Sequence, residues 1–166
     1  IGITAARDYA LGTNARAEGI QGRQSPLVIY ASEEVHSSID KAVAQLGLGI
    51  RNLRKIPTDE RFGMRMDVLR SRITQDRRDG YSPFCVVASA GTVTTGSFDP
   101  LNSIAELCAE ERLWMHVDGA YGALSAISDR FKDSMHGIEN ADSISLDPHK
   151  FLFTSFEAGC VLVKNL

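Results

Sequence analysis

Short apolar segments alternate with helical patterns along this chain of 166 residues, and no other feature limits its fold so strongly. The predicted strands cover residues 27–30, 53–56, 84–88, 114–117, 143–146 and 159–164. The predicted helices cover residues 3–11, 37–46, 67–79, 100–113 and 129–135. Such alternation predicts an α/β fold of three layers, with helices on both faces of a mainly parallel sheet. The last strand follows its predecessor with no helix between them, so we expect it to run antiparallel.

The connections between these elements carry predictions of their own. Residues 13–25 are polar and contain glycines, which is typical of a loop or of a frayed continuation of the first helix. Ser32 stands where its side chain would cap the following turn. Residues 119–142 are mostly small and irregular, with one short helix. Lys150 is expected on a turn directly after the strand at residues 143–146.

The composition is that of an ordinary globular domain without a special partner surface. Hydrophobic residues make up 43% of the chain and charged residues 23%, and the net charge is -3. No basic stripe with interleaved aromatic residues indicates a nucleic-acid surface, and no apolar run reaches the length of a membrane span. Several arginines are expected on a solvated face, namely Arg51, Arg54, Arg70, Arg72, Arg77 and Arg78.

The three cysteines, Cys85, Cys108 and Cys160, lie far apart in apolar contexts. They form no Cys-x-x-Cys pair, so we expect buried, reduced thiols in a cytoplasmic protein. The chain starts within a helical pattern that has no capping residue before it, and it stops directly after a predicted strand. We therefore expect residues 1–166 to be a single partial domain, truncated at both ends.

A lysine follows one predicted strand in a setting suited to chemistry. The segment at residues 143–146 runs into Asp147-Pro148, where proline ends the strand, and His149-Lys150 comes directly after it. In α/β proteins, ligands bind outside the carboxyl ends of the strands. Desolvation beside the apolar residues 151–153 would favour the neutral amine of Lys150, which is the nucleophilic form. The alternative is an exposed lysine after a turn.

A carboxylate follows another predicted strand in the same way. Residues 113–122 form a short apolar strand that ends at Asp118 and continues with small residues. Because the carboxyl ends of parallel strands meet at one edge of a sheet, we expect Asp118 and Lys150 to face one crevice. An amine and a carboxylate in one crevice suit pyridoxal 5′-phosphate. The lysine makes the imine, and the carboxylate keeps the pyridine nitrogen protonated.

Four motifs occur in order along the chain. They are Tyr-Ala-Ser-Glu-Glu-Val-His-Ser-Ser at residues 30–38, Gly-Thr-Val-Thr-Thr-Gly-Ser-Phe-Asp-Pro at 91–100, His-Val-Asp-Gly-Ala-Tyr-Gly at 116–122 and Asp-Pro-His-Lys at 147–150. Together they resemble the pyridoxal-phosphate-dependent amino-acid decarboxylases of the aromatic-amino-acid and glutamate decarboxylase group. The resemblance runs over nearly the whole chain. It implies the central part of a large cofactor-binding domain of fold type I, an L-amino acid substrate and a homodimer.

The resemblance assigns the central roles to four residues. Lys150 would be the Schiff-base lysine, and Asp118 would be the partner of the pyridine nitrogen. His36 would stack on one face of the cofactor ring, and the small Ala120 would press on the other face. Simpler interpretations stay open for three of them: a turn-capping carboxylate for Asp118, a histidine bound to backbone at a helix start for His36, and ordinary packing for Ala120.

Further residues near these motifs have lesser roles. By resemblance, Thr92 would contact the cofactor from the end of a strand, with Thr94 as a weaker candidate. His149 would contact the phosphate or assist proton transfer. Ser145 and Asp147 are interpreted as residues of the strand end and turn, since a carboxylate would not bind phosphate directly. We expect no metal site, because neither His-Glu-x-x-His nor a cysteine cluster supports the His-x-Asp pattern at residues 116–118.

The reaction implied by the resemblance is decarboxylation of an L-amino acid to an amine and carbon dioxide. Two alternatives remain. One is another reaction of the same cofactor, such as transamination, carbon–carbon lyase activity or aldehyde formation. The other is a non-catalytic fragment or interaction module. The resemblance places the phosphate-binding loop, the substrate carboxylate site and a mobile loop outside this chain, so we expect the 166 residues alone to bind the cofactor weakly and to be inactive.

Overall fold

A six-stranded sheet forms the centre of the computed structural model, which describes residues 1–12 and 15–164. The strands are β1 (Leu27–Ser32), β2 (Leu53–Ile56), β3 (Ser82–Ser89), β4 (Trp114–Asp118), β5 (Ser143–Leu146) and β6 (Cys160–Val163). Their order in the sheet is β2-β1-β3-β4-β5-β6. Neighbouring strands are parallel except β6, which runs antiparallel to β5. The predicted parallel sheet and its antiparallel last strand are thus confirmed.

Helices cover both faces of this sheet, which confirms the three-layer α/β fold. The helices are α1 (Gly2–Leu11), α2 (Ala15–Glu18), α3 (Ser38–Gln45), α4 (Met66–Arg78), α5 (Leu101–Glu111), α6 (Lys132–Met135) and α7 (Pro148–Phe151). Helices α1 and α3 contribute Ile3 and Ile39 to the core on one face. Helices α4 and α5 contribute Leu69 and Ile104 to the core on the other face.

The central strands supply side chains to both cores. Successive residues of a strand point to opposite faces, so Val28 and Tyr30 lie in the core with α4 and α5, whereas Ile29 and Ala31 lie in the core with α1 and α3. All four are fully buried. A strand covered on both faces has no side exposed to water, which is why its sequence is a continuous apolar run.

Several predicted boundaries shift in the structure. The helix predicted to reach residue 113 ends at Glu111, because Arg112 takes a left-handed conformation with φ of 54° and turns the chain toward β4. The turn expected at Lys150 is the single helical turn α7, with Pro148 at its start. Besides α6, the irregular region contains 3₁₀ turns at Ala123–Ile127, Asp129–Phe131 and Ile138–Asn140.

Two predictions on the connecting segments need correction or restriction. The predicted loop at residues 13–25 contains the one-turn helix α2, while residues 13–14 lie outside the described residues, as do residues 165–166. Ser32 does not cap the following turn. Its hydroxyl is buried, and within the described ranges no hydrogen-bond partner reaches it.

One arginine expected on the solvated face is turned inward. The side chain of Arg54 on β2 is only 14% exposed and lies 3.0 Å from the carboxylate of Asp76 on α4. The same carboxylate accepts hydrogen bonds from Tyr30 and Arg72. Burial raises the pKa of Asp76, but these hydrogen bonds outweigh it and hold the pKa below its usual range. A buried carboxylate needs such partners, and Arg54 supplies one.

The cysteines differ from one another in burial. Cys85 and Cys108 are free and buried, as predicted, and burial raises the pKa of the Cys108 thiol to about 12. Cys160 is free but only partly buried, because it lies on the edge strand β6. No helix in the described part of the chain is both long enough and apolar enough to cross a membrane.

Candidate functional site

The loops that follow β1, β3, β4 and β5 meet at one edge of the sheet around a cavity of about 390 Å³. Small-molecule sites occupy roughly 300–1,000 Å³, so this volume is sufficient for one. The cavity wall includes five of the residues that the resemblance assigns to the cofactor, namely His36, Thr92, Asp118, Ala120 and Lys150. The first turn of α1 forms another part of the wall.

Two glycines allow the loops after β3 and β4 to touch. Gly91 has φ of 82°, and a Cβ atom there would lie 3.0 Å from Cα of Gly122. A Cβ atom at Gly122 would lie 2.4 Å from the carbonyl oxygen of Ala90, which instead accepts a 3.0 Å hydrogen bond from the Gly122 N–H. A side chain does not fit at this crossing, so the glycines fix how Thr92 and Ala120 lie relative to each other.

The amine of Lys150 is held by a carboxylate rather than buried among apolar residues. Its Nζ lies 2.9 Å from Oδ2 of Asp147, across the single turn of α7. The apolar residues that follow are themselves exposed, Phe151 at 44%, Leu152 at 51% and Phe153 at 91%. The expected desolvation of Lys150 by these residues is therefore wrong, and an ion pair takes its place.

The two carboxylate oxygens of Asp118 differ in their contacts with the protein. Its Oδ1 accepts hydrogen bonds from the Ser145 hydroxyl at 3.2 Å and from the Ala120 N–H at 3.3 Å. Across the described residues, no hydrogen bond reaches Oδ2. Asp118 is partly buried at the end of β4 and lines the cavity. The carboxylate is thus oriented, and its second oxygen is available to a protonated nitrogen.

His116 lies two residues before Asp118 on the same face of β4 and also lines the cavity. Its Nδ1 is 2.8 Å from the hydroxyl of Ser143, which accepts a 2.8 Å hydrogen bond from the indole N–H of Trp114. Burial lowers the pKa of His116 to about 4, although the charge of Asp118 acts in the opposite sense. His116 is therefore neutral near pH 7 and adds no positive charge to the cavity.

His36 is anchored through one edge of its ring at the start of α3. The Ser38 N–H donates to Nδ1 at 3.3 Å, and the Ser38 hydroxyl lies 2.9 Å from the same nitrogen. With Nδ1 as an acceptor, the neutral ring carries its proton on Nε2. The backbone bond of the simpler interpretation is therefore present. It uses the ring edge only, so the ring faces stay available for stacking.

The hydroxyl of Thr92 belongs to a closed turn. It lies 2.6 Å from the hydroxyl of Thr95 and 3.0 Å from that of Ser97, and it accepts a 3.2 Å hydrogen bond from the Ser97 N–H. Thr92 is buried and lines the cavity, whereas Thr94 does not line it. The hydroxyl of Thr92 thus shapes the loop after β3, and Thr92 contributes to the cavity as part of that loop.

His149, like the weaker candidate Thr94, does not line the cavity. Its Nδ1 lies 2.8 Å from the carbonyl oxygen of Ala158 and 3.2 Å from the Ala158 N–H. Its ring also meets the ring of Phe156 edge-on, with centroids 4.7 Å apart. His149 therefore connects α7 to the segment before β6, whereas its neighbour Lys150 lines the cavity.

Two residues that line the cavity were predicted to have only minor roles. Ser145 binds Asp118, and Asp147 pairs with Lys150. The available signal was the period of a strand: residues 143, 145 and 147 alternate with apolar positions and so share one face of β5 and its extension. In the described part of the chain, no group of three or more His, Cys, Asp or Glu could hold a metal ion.

The chain matches a known protein family over almost its whole length. The conserved domain of pyridoxal-dependent decarboxylases covers residues 5–166. An aromatic-L-amino-acid decarboxylase of Bacillus atrophaeus is 40% identical over 153 residues, which are 92% of this chain and 32% of that protein. An acidic amino acid decarboxylase of Homo sapiens is 37% identical over 158 residues, or 95% of this chain and 30% of that protein. This chain therefore spans about a third of the length of these relatives.

Solved structures show the same arrangement of strands and helices. The crystal structure of mouse CSAD in apo form superposes with a TM-score of 0.94 at 34% sequence identity. The match covers 99% of this chain and 34% of that one.

Proposed function

The chain belongs to the family of pyridoxal-dependent decarboxylases, and on that premise we propose that the whole protein removes the α-carboxyl group of an L-amino acid, producing an amine and carbon dioxide. One observation carries the proposal: the amine of Lys150, the carboxylate of Asp118 and the imidazole of His36 line a single cavity. These groups are a nucleophile, an anion for a protonated nitrogen and a flat ring, which together suit pyridoxal 5′-phosphate.

The residues present fit the aldehyde and the ring nitrogen of this cofactor. Lys150 offers an amine to an aldehyde, and Oδ2 of Asp118 has no partner in the described residues. The first turn of α1 lines the same cavity and contains no acidic residue.

Each residue of the cavity then has a specific task. When bound, the cofactor supplies a protonated pyridine ring that accepts the electron pair left by the departing carboxyl group. Asp118 keeps the ring nitrogen protonated, and the hydrogen bonds from Ser145 and Ala120 hold its carboxylate still. Lys150 anchors the cofactor through its amine. His36, fixed at its edge by Ser38, limits the tilt of the ring from one side.

For the whole protein we further propose a cytoplasmic homodimer, of which residues 1–166 form part of one cofactor-binding domain. Free cysteines are typical of a reducing compartment, and Cys85 and Cys108 are free and buried. Phe153 is 91% exposed and Phe156 is 80% exposed, next to Lys150 in the chain. Exposed apolar side chains in this segment support a partner surface there.

The proposed reaction is tested by analysing products. The full-length protein is incubated with pyridoxal 5′-phosphate and, one at a time, with aromatic and acidic L-amino acids. We expect amine and carbon dioxide in equal amounts with at least one substrate. A keto acid without carbon dioxide would indicate transamination, and an aldehyde with ammonia would indicate an oxidative reaction. Either product pattern as the main outcome contradicts the proposal.

A further inference from the structure

We propose that Ser143 is a positioning residue, whose buried hydroxyl fixes the two rings against which helix α1 lies and so fixes the part of the cavity wall that α1 forms. This inference rests on the proposed function in one respect, namely that the wall encloses the cofactor. Ser143 is the first residue of β5 and is only 1% exposed.

The hydroxyl of Ser143 connects the ring nitrogens of two buried side chains on β4. Its Oγ accepts a 2.8 Å hydrogen bond from the indole N–H of Trp114 and lies 2.8 Å from Nδ1 of His116. Trp114 and His116 are two residues apart, so they point to the same face of the sheet. Ser143 is directly paired with His116 across β4 and β5. A hydroxyl has one proton to donate and two lone pairs that accept, so one oxygen can bind both rings.

Helix α1 contacts these two rings at positions that are two turns apart. Gly2 in the first turn approaches the imidazole so closely that a Cβ atom there would lie 2.5 Å from Cε1 of His116. In the last turn, the ring of Tyr9 meets the ring of Trp114 with centroids 5.3 Å apart and an interplanar angle of 56°. Gly2 and Tyr9 are seven residues apart and therefore lie on the same side of the helix. Both ends of α1 thus contact rings that share one hydroxyl partner.

The apolar contacts of α1 alone do not fix its orientation. Ile3 and Ala6 are buried in the core on this face of the sheet. Burial of apolar surface is not directional, so these side chains hold α1 on the sheet without determining its rotation about its own axis. The imidazole at one end and the indole at the other limit that rotation. Because residues 1–4 and His116 line the cavity, a rotation of α1 would change the shape of the cavity wall.

The first measurement is hydrogen exchange in the full-length protein without cofactor. Ser143→Ala removes the hydroxyl and leaves the buried indole N–H without its partner, so the rings lose their fixed orientation. Helix α4 packs on the other face of the sheet and provides an internal reference. We expect the amides of α1 to exchange about three- to tenfold faster in Ser143→Ala, with little change in α4. Unchanged exchange in α1, or an equal increase in both helices, would overturn the proposal.

A second buried serine provides a matched control. Ser32 on β1 is fully buried, and within the described ranges its hydroxyl has no hydrogen-bond partner. Ser32→Ala should leave the exchange of α1 unchanged, and an increase as large as in Ser143→Ala would contradict the proposal. If Ser143→Ala does not fold, Ser143→Cys takes its place under the same criteria, because a thiol is similar in shape and forms weaker hydrogen bonds.

The second measurement is the dissociation constant of pyridoxal 5′-phosphate for the same full-length variants, at a temperature where all of them are folded. A serine that only stabilises the fold would leave this constant unchanged. We expect the constant to rise about three- to tenfold in Ser143→Ala and to stay at the wild-type value in Ser32→Ala. Equal constants in the wild type and Ser143→Ala would overturn the positioning role.

These results are distinguishable from a failure of the proposed function. A wild-type protein that binds the cofactor but releases no carbon dioxide would contradict the proposed decarboxylation, while the effect of Ser143→Ala on cofactor binding would still be measured. If the wild type bound no cofactor at all, the hydrogen exchange of α1 would decide whether Ser143 fixes the helix.

Discussion

The hydroxyl of Ser145 donates a 3.2 Å hydrogen bond to Oδ1 of Asp118, and the two residues are directly paired across the parallel strands β5 and β4. The register of β5 against β4 therefore determines which carboxylate oxygen of Asp118 accepts this hydrogen bond. A shift of one residue in β5 would turn Ser145 to the other face of the sheet and leave the carboxylate without this donor. The orientation of Asp118 is thus a property of the sheet and not of a flexible loop.

Substitutions of Asp118 and of Ser145 should lower the rate of turnover to very different extents. In Asp118→Asn the amide carries no negative charge, so the ring nitrogen would lose its proton, and we expect turnover to fall on the order of a hundredfold or more. Ser145→Ala removes one hydrogen bond worth about 1 kcal/mol, so we expect a loss of about fivefold. Steady-state decarboxylation rates of the full-length variants measure both effects.

The exposed Ser71 on α4 serves as the control for the serine substitution, because Ser71→Ala changes the same side chain far from the cavity. Turnover in Ser71→Ala should equal that of the wild type. Near-normal turnover in Asp118→Asn, or a larger loss in Ser145→Ala than in Asp118→Asn, would contradict the assigned order of roles.

Gly122→Ala should disturb the cavity through the backbone. The added Cβ would lie 2.4 Å from the Ala90 carbonyl oxygen, so the loops after β3 and β4 must separate. We expect a destabilisation of about 1–3 kcal/mol in urea denaturation, together with weaker cofactor binding. Gly63→Ala is the matched control, since a Cβ atom there meets its nearest neighbour at 3.4 Å. Equal stability of the two variants would show that the loop crossing adapts.

Asp99 should make stability depend on pH. This buried carboxyl accepts backbone hydrogen bonds from Met64 at 2.8 Å and from Ser89 at 2.7 Å. Burial outweighs both bonds and raises the pKa of Asp99 to about 6 from a usual value of 3.8. A raised pKa means that the fold favours the protonated form. The stabilisation that Asp99 contributes is therefore complete below pH 3.8 and is lost as the pH rises through about 6.

Asp99→Asn isolates this dependence, because an amide nitrogen cannot accept the second backbone N–H and does not titrate. We expect the variant to be less stable than the wild type by about 1–3 kcal/mol at pH 4, with a smaller difference at pH 7. The measurement is the free energy of unfolding of the wild type and of Asp99→Asn at both pH values. The effects of other carboxyl groups cancel when the two proteins are compared at the same pH. A difference that grows toward pH 7 would mean that the ionised form is the one the fold favours.

The sheet and the common edge of the site could be predicted from the sequence, because they follow from local patterns. Continuous apolar runs between helices determine a covered parallel sheet, and the carboxyl ends of its strands meet at one edge. His36, Asp118 and Lys150 each follow such a run and line the same cavity.

The side-chain partners within the site could not be predicted in this way. The direction of His149 depends on Ala158, and the ion pair of Lys150 depends on which group the carboxylate of Asp147 reaches. Arg54 likewise turns inward because Asp76 on a distant helix needs a partner. These contacts form between segments that become adjacent only after folding, so the spacing of residues in the sequence does not predict them.

The central claim is that Lys150 is the covalent attachment point of the cofactor. Full-length protein loaded with pyridoxal 5′-phosphate is reduced with borohydride, digested and mapped by mass spectrometry, with Lys150→Arg as the matched control. We predict a pyridoxyl group on the peptide that contains Lys150 and none at this peptide in Lys150→Arg. A pyridoxyl group on another lysine as the main product, with Lys150 unmodified, would contradict the account of the site.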